Sequence, residues 1–196
     1  YAMMSHVDKR VGNIIQTLKD NGLYENTIII FAGDNGLAVG QHGLMGKQNV
    51  YEHSVGVPLM IKAAAQHTGK KTADLCYLID VFPTLCDMLQ LPVPQSVDGI
   101  SLLSSLDGKE PVRDYLYYSY MDNQRGISDG TWKLIEYHVN GKRTTQLFNL
   151  KNDPWERNDL SGQKKYEKTI QRLREKMAEE QKRTNDTSVF WNNFSY

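Results

Sequence analysis

Apolar residues along the first twenty positions recur at helical spacing. Val7, Val11, Ile14, Ile15 and Leu18 form one stripe, which predicts an amphipathic helix from about Ser5 to Asp20. Asn21-Gly22 supplies its stop. After a short connection the period changes. Thr27-Ile28-Ile29-Ile30-Phe31-Ala32 is a continuous run of β-branched and aromatic residues, the pattern of a strand buried on both faces. Val57-Pro58-Leu59-Met60-Ile61 reads as a second strand of the same sheet. Helix, short loop and buried strand is the rhythm of an α/β layer. Ala73 to Ile79 is a weaker strand or a lead-in to a helix. Asp80 then caps a helix that carries Pro83 in its first turn and runs to Leu89.

Leu91 to Ser105, rich in proline and serine, reads as a surface loop, and the composition shifts after it. Tyr115 to Met121 is an aromatic strand. Gly126 to Ser128 leads through an Asp129-Gly130 turn into Trp132 to Tyr137, and Asn140-Gly141 turns that strand into Arg143 to Phe148. Asx-Gly between alternating strands is a strong hairpin signal, so a small antiparallel sheet is expected. Tyr166, Ile170, Leu173 and Met177 mark a final amphipathic helix able to pack on its face. The fold class is therefore α/β, with residues 1–105 in an α/β domain and 106–196 in a small α+β subdomain. Tyr115, Tyr117, Tyr118 and Tyr120 at strand spacing are core and cross-strand packing before they are a sugar platform.

Bulk properties narrow the function. The 23 basic and 23 acidic residues cancel, which argues against nucleic acid or an anionic membrane as a partner. No apolar run approaches the roughly 20 residues needed to span a bilayer, and no signal peptide is visible. Cys76 and Cys86 make neither a disulfide framework nor a zinc site. In apolar surroundings they read as reduced core residues.

The chemistry concentrates after the first strand. Asp34-Asn35-Gly36 places two hard oxygen donors at a strand's carboxyl end, where open α/β sheets place ligands. A carboxylate and an amide carbonyl favour calcium or magnesium over zinc. Taken alone, the tripeptide is more often only a turn; His42, Gly43, Lys47, Tyr51 and Glu52 in register reverse that balance. The glycine loop Gly40-Gln41-His42-Gly43-Leu44-Met45-Gly46 then returns Lys47 toward the same place, as a cation for an anionic ligand. His42 either contacts substrate or holds the loop through a backbone hydrogen bond. Asp8 reads as a solvated helix-face residue, and Asp80 as an N-cap.

The segment Asp34 to Leu59 resembles the sulfatase family. A strand ending in Asp-Asn-Gly is followed by Gly40-Gln41-His42-Gly43-Leu44-Met45-Gly46-Lys47 and by Tyr51-Glu52-His53-Ser54-Val55-Gly56-Val57-Pro58-Leu59. The match extends upstream to Val7-Asp8-Lys9-Arg10-Val11-Gly12. Downstream it reaches Ile79-Asp80-Val81-Phe82-Pro83-Thr84-Leu85 and Leu147-Phe148-Asn149-Leu150-Lys151-Asn152-Asp153-Pro154. The resemblance implies part of an alkaline phosphatase-like α/β sandwich. It implies Asp34 and Asn35 as ligands of calcium, with magnesium possible, and Lys47 as a catalytic, sulfate-binding cation. His42 and His53 would bind or shape the substrate, a sulfated small molecule or carbohydrate.

Two departures matter. Gly56 stands where many sulfatases carry arginine. The Cys-x-Pro-x-Arg or Ser-x-Pro-x-Arg motif, whose first residue becomes the formylglycine nucleophile, is absent, because Cys76 precedes Tyr77-Leu78 and Cys86 precedes Asp87-Met88. The expectation is a C-terminal part of a sulfatase, inactive by itself, whose partner is the N-terminal half of the catalytic domain carrying formylglycine. The family resemblance implies an exported parent, periplasmic, lysosomal or extracellular. The rivals are a phosphodiesterase or phosphonate hydrolase of the same superfamily, and a non-catalytic binding module descended from a sulfatase.

Overall fold

The computed structural model describes residues 1–63 and 69–188. In chain order the elements are α1 (Ala2–Asp20), β1 (Ile29–Ala32), β2 (Ala38–Val39), β3 (Met45–Gly46), α2 (Glu52–Val55), β4 (Leu59–Lys62), α3 (Val81–Met88), α4 (Leu103–Leu106), β5 (Leu116–Tyr120), β6 (Gln124–Ser128), β7 (Trp132–Val139), β8 (Lys142–Asn149) and α5 (Glu167–Arg183). They group into two compact units, Tyr1–Ala32 with Pro58–Lys71, and Gly33–Val57 with Thr72–Tyr196. Among the described residues no helix is long and apolar enough to cross a membrane.

The first unit holds α1 and the β1–β4 pair. The two strands run antiparallel, with Ile29 opposite Lys62 and Ala32 opposite Leu59. The expected common sheet is present, but burial on both faces is not. Phe31 is 39% exposed and Met60 59%. A two-stranded ribbon, with no third strand beside it among the described residues, leaves both pleated faces open. The apolar stripe of α1 is open too, and none of its residues is buried.

The second unit is built on a four-stranded antiparallel sheet in the order β5-β6-β7-β8. The Asn140-Gly141 hairpin forms as the turn chemistry dictates. Both residues take positive φ, 51° and 75°, the geometry whose twist matches the flanking strands. On one face Tyr117, Ile127, Leu134 and Leu147 pack with Ile170, Leu173 and Met177 of α5. The other face is covered by the Asp34–Val57 segment, whose Val50 and Tyr51 pack with Ile135 and Phe148. Both faces of β7 are thus buried, and its two charged residues are buried with them. Glu136 is held by Arg174 at 2.8 Å and by the Thr145 hydroxyl at 2.7 Å.

Asp80 stands at the N-cap position of α3 without capping it. Its carboxylate accepts the N–H groups of Tyr77 at 2.7 Å and Ile100 at 2.8 Å, and pairs with the Arg113 guanidinium. Fully buried, it needs a counter-charge, and Arg113 offers more than the amides of one helix turn.

Candidate active site

β1 leads through Gly33 into Asp34 and Asn35. Asp34 Oδ1 accepts the Asn35 N–H at 2.9 Å, and Asn35 Nδ2 donates to the Gly36 carbonyl at 2.8 Å. These local bonds turn Asn35 Oδ1 away from its own loop. Gly36 is required by a close approach. Its N–H donates to the Ser54 carbonyl at 2.9 Å, and a Cβ there would fall 1.9 Å from the His53 carbonyl oxygen.

The glycine loop closes as a small hairpin. β2 pairs with β3, Ala38 opposite Gly46 and Val39 opposite Met45. Gly40 at φ 100° and Gly46 at φ 111° supply backbone that other residues adopt at a cost. The closure returns the chain so that Lys47 Nζ donates to Asn35 Oδ1 at 2.9 Å. Asn35 and Lys47 are therefore brought together, with Asp34 next in the chain and exposed.

His42 sits at the hairpin tip at φ 53°. Its ring stacks on Tyr51, centroids 3.9 Å apart and planes 5° from parallel, and His53 stacks obliquely on both rings. Its Nε2 lies 3.2 Å from the Trp155 carbonyl. A carbonyl can only accept, so the proton is on Nε2, and the loop-holding hydrogen bond exists. Tyr51 is fixed in turn by its hydroxyl on Gln146 Oε1 at 2.6 Å. His53 Nε2 is enclosed without a hydrogen-bond partner. Burial, then the charges of His42 and Lys133, push the His53 pKa down.

Behind the histidines lies a charge cluster that neither helical nor strand periodicity reveals. Lys133, fully buried on β7, places Nζ 2.7 Å from Glu52 Oε1 and 3.1 Å from Glu156 Oε1. Glu156 Oε2 accepts the Glu52 N–H at 2.6 Å. Burial raises the Glu156 pKa against the pull of Lys133. The cluster ties α2 to the sheet and to the turn after Asp153-Pro154. A lysine between Trp132 and Leu134 in a run otherwise suited to a core is the signal that could have pointed to it. At Gly56 a Cβ would fall 2.8 Å from Glu52 Oε2, so a side chain there would crowd this carboxylate.

Asp34 and Asn35 fit part of a hard-cation shell, since both offer oxygen and the Asp34 carboxylate is open. Among the described residues no group of three or more His, Cys, Asp or Glu side chains could hold a metal. The thiols are poor nucleophiles, Cys86 being buried and Cys76 having its pKa pushed up mainly by burial.

Comparison with known proteins places this arrangement. Residues 40–183 match the family described as N-sulphoglucosamine sulphohydrolase, C-terminal. An N-acetylglucosamine-6-O-sulfatase of Bacteroides thetaiotaomicron is 30% identical over 193 residues, covering 92% of this chain and 34% of the relative. A solved structure of a protein in complex with its substrate D-glucosamine-2-N,6-O-disulfate superposes with a TM-score of 0.77 at 29% identity, over 92% of this chain and 39% of that one. A phosphonate monoester hydrolase of Agrobacterium radiobacter superposes with a TM-score of 0.78 at 27% identity, over 91% and 40%. The chain spans about a third of the length of the curated relatives it matches. The mixed α/β fold is thus the alkaline phosphatase-like one, and the chain belongs to the sulfatase family as its C-terminal portion.

Proposed function

We propose that this chain is the part of a sulfuric ester hydrolase that binds the sulfate group and completes its metal site. The observation that carries the reading is the 2.9 Å contact of Lys47 Nζ with Asn35 Oδ1. It sets an ammonium beside one hard oxygen donor, with the Asp34 carboxylate next in the chain, at a strand exit. In this reading Asp34 and Asn35 hold a calcium ion, with magnesium as the alternative. The cation supplies polarisation of the sulfuryl oxygens and an electrostatic clamp. Held by Asp34 and Asn35, such a cation would add to the positive charge of Lys47, and the combined charge would favour an anionic ligand. Lys47 exchanges the Asn35 amide for a sulfuryl oxygen when substrate enters. There it stabilises the charge that gathers on the transferred group and the departing oxygen. The Gly36–Ser54 and β2–β3 contacts fix the two backbones, so little reorganisation is left for the moment of reaction.

The nucleophile in this reading is a formylglycine, which neither Cys76 nor Cys86 supplies. A sulfated amino sugar is the substrate class favoured by the two sulfatase relatives described above. A phosphonate or phosphodiester hydrolase is the second reading, favoured by the superposition on the phosphonate monoester hydrolase. Release by the full-length protein of sulfate from a glucosamine disulfate and an aryl sulfate, against release of the alcohol and free phosphonate from a phosphonate monoester, separates the two. Lys47→Ala is expected to lower turnover on the preferred ester by roughly 10²–10³ with the fold intact. Near-normal kinetics in that variant would make Lys47 a surface lysine and remove the reading.

A further inference from the structure

Lys47 bonds a neutral group although a carboxylate is close by in the chain. Its ammonium donates to the Asn35 amide oxygen at 2.9 Å and forms no ion pair among the described residues. The amide is held in place. Asn35 Nδ2 donates to the Gly36 carbonyl at 2.8 Å, and the Gly36 N–H is pinned to the Ser54 carbonyl at 2.9 Å. Lys47 is exposed, on a flexible aliphatic stem. Of the two partners, it is the lysine that can leave.

The oxygen that Lys47 contacts is also the one that Asn35 can offer to a hard cation, since the amide has a single carbonyl. Asp34 Oδ1 is already engaged by the Asn35 N–H at 2.9 Å, so the amide oxygen matters to any shell formed here. An amide oxygen has lone pairs for two partners. Here both partners would be cations drawn onto one atom, and like charges that close repel one another. A metal ion and the Lys47 ammonium therefore oppose each other at Asn35 Oδ1. An anion shifts the balance. A sulfate oxygen offers Lys47 a charge-assisted hydrogen bond in place of a neutral one, roughly twice as strong.

We infer that Lys47 couples the two ions of the proposed site: the anion draws the ammonium off Asn35 Oδ1, and the freed oxygen then holds the metal ion more tightly. Linkage makes the effect reciprocal, so the metal ion tightens the anion by the same factor. The site fills as a pair, and a cation without its anion is held less firmly. The inference rests on the sulfatase reading for the identity of the two ions and adds their interdependence, which is a binding property separable from turnover.

The test titrates the full-length protein with calcium, and in a parallel series with magnesium, by calorimetry. Each titration is run in potassium chloride and again with part of it replaced by potassium sulfate at equal ionic strength, the free metal being corrected for its pairing with sulfate. An ionic strength of about 0.5 M screens charges that are not in contact. In the wild type, sulfate is expected to tighten metal binding about tenfold. Lys47→Met has no ammonium to displace. It is expected to bind the metal about tenfold more tightly than the wild type in chloride, and to lose most of the sulfate effect. Equal metal affinity of the two proteins in chloride overturns the inference, as does a sulfate effect as large in Lys47→Met as in the wild type. Either result leaves the sulfatase reading standing where the wild type still releases sulfate from an ester. Coupling in a protein that hydrolyses no sulfate ester keeps the inference while the reaction falls. Binding of neither metal by the wild type removes both the inference and the metal site it rests on.

Discussion

Replacing Lys133 with methionine keeps an unbranched side chain one atom shorter and removes its charge. Two carboxylates lose their partner, and their surroundings differ. The Glu52 side chain is 31% exposed and can turn toward water. Glu156 is 2% exposed and cannot. Breaking a buried pair in this way costs about 3–5 kcal/mol. An escape limits the loss, because Glu156 can take up a proton. From an ordinary pKa of 4.5, holding it neutral at pH 7 costs about 3.4 kcal/mol, and at pH 5 about 0.7 kcal/mol, at 1.36 kcal/mol per unit.

The sign follows from proton counts. In the variant the native state holds a proton on Glu156 that the unfolded chain releases above pH 4.5. Native binding of more protons makes stability fall as pH rises. Burial already raises Glu156 in the wild type, so the trend has the same direction there and is restrained by Lys133. Urea denaturation of both proteins at pH 5 and pH 7 reads the result. We expect a difference in unfolding free energy near 3 kcal/mol at pH 7 that shrinks to about 1 kcal/mol at pH 5. A loss below about 1 kcal/mol at pH 7, or one independent of pH, would refute the reasoning.

Two further outcomes concern the loop and the metal. Gly36→Ala sets a methyl 1.9 Å from the His53 carbonyl, so backbone must move. We expect a loss of about 1–3 kcal/mol together with a drop in sulfate-ester turnover by the full-length protein. Unchanged stability would mean the two loops are not held as close as described. The 196-residue chain by itself is expected to bind calcium weakly and to hydrolyse no aryl sulfate above a Lys47→Ala control. Such an ion wants about six or more oxygens, and Asp34 and Asn35 offer two or three. Micromolar binding in a calorimetric titration, or turnover above that control, would contradict it.

Local rules were readable in the chain wherever the deciding partners were close in sequence. Asn140-Gly141 announced its hairpin because positive φ at adjacent positions is a property of those two residues. Ile170, Leu173 and Met177 announced a buried stripe, and all three reach the core against Leu134 and Leu147. Asn35 and Lys47 could be paired because one glycine hairpin joins them. Legibility ended where a residue's partner is distant. Asp80 read as a cap because caps are local, whereas Ile100 and Arg113 hold it from 20 and 33 residues away. Lys133 and Glu156 lie far apart in the sequence, and only the fold makes them a pair. Thr27 to Ala32 carried the composition of a buried strand, but burial belongs to the neighbours. Among the described residues β1 has β4 alone beside it.

The residues Tyr51 to Ser54 show why the sheet of the second unit belongs to the site. α2 is one turn long, and one turn cannot hold itself in water. It is instead held by contacts to groups outside it. Tyr51 is locked between His42 and Phe148, Glu52 is held by Lys133, and the Ser54 carbonyl receives the Gly36 N–H. Gly36 in turn fixes the Asn35 amide through its own carbonyl. The position of the oxygen that Lys47 contacts therefore depends on contacts that begin at Phe148 and Lys133, which pair with each other near the end of β8 and the start of β7. If Lys47 is the anion contact proposed above, its placement depends on this sheet, and variants in the sheet are then expected to lower kcat as well as stability.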